Sequence, residues 1–276
     1  MTRRVFVTGS MVATAALLSA IYVVAWMFAA TLVSAQETLQ PLHGTCSLTA
    51  SERADKVRMN LESVPCDESR GHCNTTDSDV PVSEWSGFTL SDLQQEGAHL
   101  DAAMTAEAGT LRCSGTVHES ALRGDYTFTP NAEFVGRMQQ MGFSGFDSEK
   151  LQAYTLFHIG TAWVQDLKAA GVTDMDSGNL IALRIFRITP EFVHSMDALG
   201  YSHLPADKLI AFGVHGVNPD EVKQVRALGY NPSADELIQM RIFKVTPDFI
   251  RRMQDRGFKN LTIAKLVQVR IFHLAE

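Results

Sequence analysis

The chain has 276 residues, 45% hydrophobic and 20% charged, a composition that buries a sizeable core and excludes disorder throughout. Its formal charge of −7 argues against a surface built for nucleic-acid phosphates. Four cysteines are compatible with two disulfides in an exported protein but too few for a disulfide scaffold or a set of zinc modules.

The charge is unevenly spread. Residues 1–35 carry Arg3 and Arg4 alone, residues 36–128 carry 6 basic and 15 acidic groups, and residues 129–276 carry 16 of each. Three regions follow, and the fold class expected from them is α+β: an N-terminal transmembrane helix, a small antiparallel β-domain and an array of five helical hairpins.

From Val5 to Ala35 no residue is charged. About 20 helical residues cross a bilayer core, so this run is long enough to span one. Arg3 and Arg4 precede it, which by the positive-inside tendency leaves the N-terminus in the cytoplasm and exports the rest. An uncleaved signal-anchor is expected, giving a single-pass protein of the cytoplasmic membrane. Val33-Ser34-Ala35 resembles a signal-peptidase site, so a secreted or periplasmic product cut near Ala35 is the alternative.

In residues 36–128 the period-two alternation of Thr45–Thr49 and Lys56–Glu62 predicts strands with one buried face. Ser63–Pro81 reads as a long polar loop. Ala103–Ala108, Thr110–Val117 and Gly124–Phe128 read as further strands, separated by Gly109 and a His118–Arg123 turn, most simply arranged as a meander. Ser91 can cap one helical turn. The pairing expected for the cysteines is Cys46–Cys113 and Cys66–Cys73, among three possible connectivities. A zinc site of His72, Cys66, Cys73 and a neighbouring carboxylate is one alternative, although the spacing matches no structural zinc pattern, and an unrecognised enzyme site around His72, Cys73, His99 and His118 is another.

Residues 129–276 repeat. Gly142, Gly171, Gly200, Gly229 and Gly257 recur every 29, 29, 29 and 28 residues. A Thr/Asn-Pro column (Thr129-Pro130, Thr189-Pro190, Asn218-Pro219, Thr246-Pro247, with Gly160-Thr161 as the degenerate member) and a Leu column (Leu151, Leu180, Leu209, Leu237, Leu266) accompany them. Each unit reads as a capped helix, a left-handed glycine and a second short helix capped at Asp147, Asp176, Pro205, Ser233 or Thr262. Hairpins this short bury their apolar faces only by stacking.

Two columns place basic residues at matching positions: Thr155, Arg184, Gly213, Arg241 and Arg270, and His158, Arg187, Gly216, Lys244 and His273. Arg184, Arg187, Arg241, Lys244 and Arg270 therefore form a candidate interaction stripe. Ion pairs with Glu191, Asp220 and Asp248, at the starts of the following helices, would use the same charges.

The pattern Thr-Pro-Glu-Phe-Val, Ala-Leu-Gly-Tyr and Ala-Asp-Lys-Leu-Ile-Ala within 189–211 resembles the repeat arrays in extracytoplasmic parts of bacterial antirepressor-type membrane metallopeptidases, relatives of β-lactam sensor-transducers. The strands ending in Gly124-Asp-Tyr-Thr-Phe-Thr-Pro are similar to the segment preceding those arrays, and together the likeness covers most of residues 43–276. It implies an envelope protein with a sensing or interaction role. The family's His-Glu-x-x-His zinc motif is absent: His118-Glu119 is followed by Ser-Ala-Leu. No catalytic residue carries over and no cofactor is expected. The expected partner is a protein or envelope component outside the cytoplasm, with the membrane reached through residues 5–35. An envelope enzyme with an unrecognised site in the β-domain is the other reading.

Overall fold

Alternation of buried and exposed residues builds the sheet in the computed structural model, which describes residues 39–63 and 75–272. The strands are β1 (Leu42–Ala50), β2 (Lys56–Ser63), β3 (Thr75–Pro81), β4 (His99–Ala106), β5 (Gly109–His118) and β6 (Ala121–Pro130). They form one antiparallel sheet in the order β3-β2-β1-β6-β5-β4. Each half is a meander, but β1 pairs with β6, Leu42 opposite Phe128 and Thr49 opposite Ala121, so the expected simple meander is corrected. The β5–β6 turn is also tighter than His118–Arg123. Glu119 and Ser120 both take positive φ, the geometry of a two-residue primed turn, and Arg123 is already paired.

One strand was not expected. β3 lies inside the stretch read as a polar loop; its Thr-Thr-Asp-Ser-Asp-Val-Pro sequence has little strand propensity, and it is an edge. Cross-strand contacts hold it instead: Arg58 donates to both oxygens of Asp77, and Val80 is buried opposite Val57. One sheet face is polar and solvated, carrying Thr45, Arg58, Asp101 and Arg112, while Leu48, Met59, Met104, Leu111 and Phe128 fill the other.

The chain then forms ten α-helices among the described residues: α1 (Ala132–Gln140), α2 (Ser148–Leu156), α3 (Thr161–Ala169), α4 (Asn179–Ile185), α5 (Pro190–Asp197), α6 (Ala206–His215), α7 (Pro219–Ala227), α8 (Ala234–Ile242), α9 (Pro247–Asp255) and α10 (Ile263–Ile271). They pair as successive hairpins. The first helices stack as one row, α1-α3-α5-α7-α9, and the second helices α4-α6-α8-α10 as another, while α2 packs on β4, β5 and β6. The sheet thus covers the apolar face that the first hairpin would otherwise expose.

The glycine column does what its spacing predicts. Gly142, Gly171, Gly200, Gly229 and Gly257 all have φ between 79° and 91°, past the end of a first helix. Eleven residues earlier stands each N-cap: Asn131, Gly160, Thr189, Asn218 and Thr246. This corrects the first member of the Thr/Asn-Pro column. Thr129 and Pro130 end β6, and the Asn131 side chain accepts from Glu133 and Phe134 N–H. Helix α4 also starts later than expected, because Asp176 accepts the N–H groups of Gly178 and Asn179 and caps the turn leading in. Ser233 and Glu236 form the capping box the sequence predicts.

Packing is continuous across residue 128. One buried cluster runs from Leu48 and Met59 through Phe134, Tyr154, Leu183 and Phe212 to Leu237. A second, containing Met240, Phe249, Ile250, Met253 and Leu266, serves the last hairpin.

Cys46 and Cys113 are joined by a disulfide with Cα atoms 6.0 Å apart. They lie on β1 and β5, which are not neighbours, so the bridge crosses β6, where Gly124 is the register partner of Cys46. Two strand spacings in a flat sheet amount to about 9.6 Å, so the sheet is strongly curled here. A Cβ at Gly124 would stand 2.0 Å from the Ser114 carbonyl oxygen, which is why this position is glycine. Cys66, Cys73 and His72 lie outside the described residues, as do the apolar N-terminal segment and its site at Ala35. No helix among the described residues is long and apolar enough to cross a membrane.

Candidate interaction surface

The second helices end in related segments: Thr155-Leu-Phe-His, Arg184-Ile-Phe-Arg, Gly213-Val-His-Gly, Arg241-Ile-Phe-Lys and Arg270-Ile-Phe, with His273 outside the described residues. Stacking brings these ends to one edge of the array. The two basic columns are the first and fourth positions of these segments, so the candidate residues are brought together in two files with an apolar file between them.

The first file is structural. Arg184 Nε donates to Phe157 O (2.9 Å), Arg241 Nε to His215 O (3.1 Å) and Arg270 Nε to Lys244 O (3.2 Å), in each case reaching the carbonyl that ends the preceding hairpin. A helix end leaves such carbonyls unpaired, and a guanidinium both satisfies them and complements the negative end of the dipole. Each arginine also meets the third residue of the first helix in its own hairpin. Arg184 lies 5.2 Å over the Trp163 ring, Arg270 lies 4.4 Å over Phe249, and Arg241 donates to Glu221 at 2.5 Å. The expected ion pairs with Glu191, Asp220 and Asp248 do not form: Asp220 pairs with Lys223, Asp248 pairs with Arg251, and the Thr189 hydroxyl holds the Glu191 carboxyl below its ordinary range.

Two members of this file depart from arginine, each for a local reason. Thr155 is buried beside the sheet and donates to Leu151 O. At Gly213 the hairpins approach so closely that a Cβ would stand 2.6 Å from Phe186 Cβ and 2.9 Å from its carbonyl oxygen.

The second file consists of left-handed residues: His158, Arg187 and Lys244 have φ of 50°, 56° and 54°, and Gly216 has 67°. The left-handed region costs a non-glycine residue roughly 1–2 kcal/mol. His158 is tied to Glu84 at 2.7 Å, while Arg187 and Lys244 point cationic side chains outward beside the apolar file.

That apolar file is the feature sequence reasoning missed. Eight large hydrophobic side chains are exposed among the described residues, and seven belong to these tips: Phe157, Ile185, Phe186, Val214, Ile242, Ile271 and Phe272. Ile185, Val214, Ile242 and Ile271 are 45–50% exposed at equivalent positions. The signal was present as the recurring Arg-Ile-Phe, but helical periodicity reads its Ile and Phe as core. Soluble proteins usually expose large apolar side chains singly, and a set repeated along one edge departs from that.

At the head of the file, Leu156 and Phe157 share a wall of a cavity of about 370 Å³ between α2 and the β1–β2–β3 end of the sheet. Leu42, Leu61 and Tyr126 make it apolar and Asp77 and Glu149 border it. Burial raises the pKa of the Tyr126 hydroxyl.

Of the residues named for the alternative site in the β-domain, His99 and His118 fall among those described. His99 lies beside Ser114, and His118 is bonded to Glu96 at 2.6 Å. No group of three or more His, Cys, Asp or Glu side chains suited to a metal occurs among the described residues.

Comparison with protein-family models, curated proteins and solved structures finds no match for this chain.

Proposed function

We propose that this chain is a non-catalytic interaction module of the bacterial envelope, related to the extracytoplasmic part of antirepressor-type sensor proteins. In this reading residues 5–35 anchor it in the cytoplasmic membrane, the rest works outside, and the helical array presents its tips to a protein partner. The observation that carries the reading is the file of exposed Ile, Val and Phe side chains repeated at one edge of a stacked array, flanked by cations. The Cys46–Cys113 bridge supports it, since such bonds persist in oxidising compartments.

The test is photo-cross-linking in intact cells with the reactive group at Ile185 or Ile242, and at Thr116 on the solvated sheet face as control. Protein adducts at the two tip positions, absent at Thr116 and recovered with the membrane fraction, are expected. Adducts formed equally at all three sites, or with cytosolic proteins alone, would overturn it.

A further inference from the structure

The tips are cationic and contain no acid. Residues 155–158, 184–187, 213–216, 241–244 and 270–272 hold Arg184, Arg187, Arg241, Lys244 and Arg270 and not one Asp or Glu. The cations are grouped into two poles. Arg184 and Arg187 form one, Lys244 and Arg270 the other, and between them Gly213 and Gly216 carry no side chain, the Arg241 guanidinium beside Gly216 is neutralised by Glu221, and Val214 stands 50% exposed.

Resting on the interaction-module reading, we infer that the ridge binds an acidic, amphipathic segment of a partner protein. Its carboxylates would meet the two poles and its apolar side chains Ile185, Val214, Ile242 and Ile271. Packed helices lie about 8–10 Å apart, so the apolar contacts repeat at about that interval along the array. A partner helix presents one face every seven residues, about 10.5 Å, and matches this interval.

An anionic bilayer offers the same chemistry, but two observations favour a protein. The guanidinium planes of Arg184 and Arg270 are fixed, each by a carbonyl and a ring, so the N–H groups outside those contacts keep one orientation, which suits a carboxylate held in place. The ion-paired, neutral stretch in mid-ridge is a positional feature that a laterally uniform lipid surface cannot match.

The experiment is a selection of random peptides of about 20 residues, about 30 Å if helical, on the immobilised full chain in detergent. Selected peptides rich in Asp, Glu and apolar residues are expected. Their binding should weaken by about tenfold or more in the Ile242→Asp variant and in the Arg187→Glu/Lys244→Glu variant, and also fall in high salt. Both changes are at exposed positions, and near-UV circular dichroism reports whether the fold is kept. Peptides without acidic bias, or peptides binding both variants as well as the parent chain, overturn the inference while leaving the interaction module standing. Displacement by phosphatidylglycerol vesicles with no effect from neutral vesicles or from a Glu/Leu peptide assigns the ridge to lipid and overturns it. No selected peptide, together with no cross-linked protein in cells, removes both readings.

Discussion

Arg270 donates from Nε and Nη2 to the carbonyl oxygen of Lys244, one hairpin earlier in the chain. The Nη2 contact is 3.1 Å, and the same guanidinium covers the Phe249 ring. Arg270→Ala removes the carbonyl's partner and the stacking together. The expected loss is about 1–2 kcal/mol, given that the site is partly solvated, read as a lower thermal midpoint.

The same column yields an expectation opposite to that of simple repeat averaging. Gly213→Arg would restore the majority residue, yet its Cβ would collide with Phe186. The variant should be less stable than the parent by at least about 1 kcal/mol, measured by denaturant unfolding. A gain in stability would show that the third hairpin does not approach the second as described.

Helix α3 begins at Gly160, which has no side chain to cap it. Glu107, from the β4–β5 turn, takes that place: its carboxylate accepts from Thr161 N–H (3.1 Å) and Thr161 Oγ1 (2.9 Å) and from Arg137 (3.2 Å). A Cβ on Gly160 would stand 2.3 Å from this carboxylate. Glu107→Ala and Gly160→Ala should each cost about 1 kcal/mol, and the double variant should cost little more than either alone. Full additivity in a double-mutant cycle would contradict the shared cap.

Removing the Cys46–Cys113 bridge opens a loop with a sequence separation of 67 residues. Cys46→Ala/Cys113→Ala should lower stability by about 4 kcal/mol on the chain-entropy estimate. The loss should appear first as amide exchange along β1, β5 and β6, where the bridge holds the curl of the sheet.

The Glu96 carboxyl lies below its ordinary range chiefly because His118 hydrogen-bonds to it, with the Glu119 N–H adding to the effect. A depressed carboxylate contributes stability above the unfolded value of 4.5, and that contribution disappears as pH falls through the lowered folded value. Carbon-detected NMR titration should show Glu96 titrating below 4.5, and Glu96→Gln should flatten this part of the stability profile.

Much of this architecture is legible in the chain. Five glycines with φ near 90° are marked by spacing alone, and Ser233 with Glu236 announces a capping box. The pairing of Cys46 with Cys113 is legible from their places in alternating strands. What stayed hidden depends on contacts distant in sequence. β3 is polar and exists through Arg58 and Val57 on its neighbour; the cap of α3 comes from residue 107; and Thr129-Pro130 mimics a helix start while ending a strand. The exposed Ile-Phe file is not legible in the sequence, because periodicity reports that a side chain is apolar and repeated, not which hairpin edge it reaches.

The two separate buried clusters make the molecule unequal along its length. The larger is continuous from the sheet to Leu237, whereas the last hairpin packs on the fourth through a smaller, separate cluster that joins Val225 and Met240 to Ile250 and Leu266. Folding can therefore grow outward from a cross-linked foundation, and fluctuations should gather at the opposite tip. Lys244 and Arg270 belong to that yielding end and Arg184 to the firm one, so a molecule gripping both poles would act as a missing terminal brace, slowing the opening of the final hairpin more than that of any other.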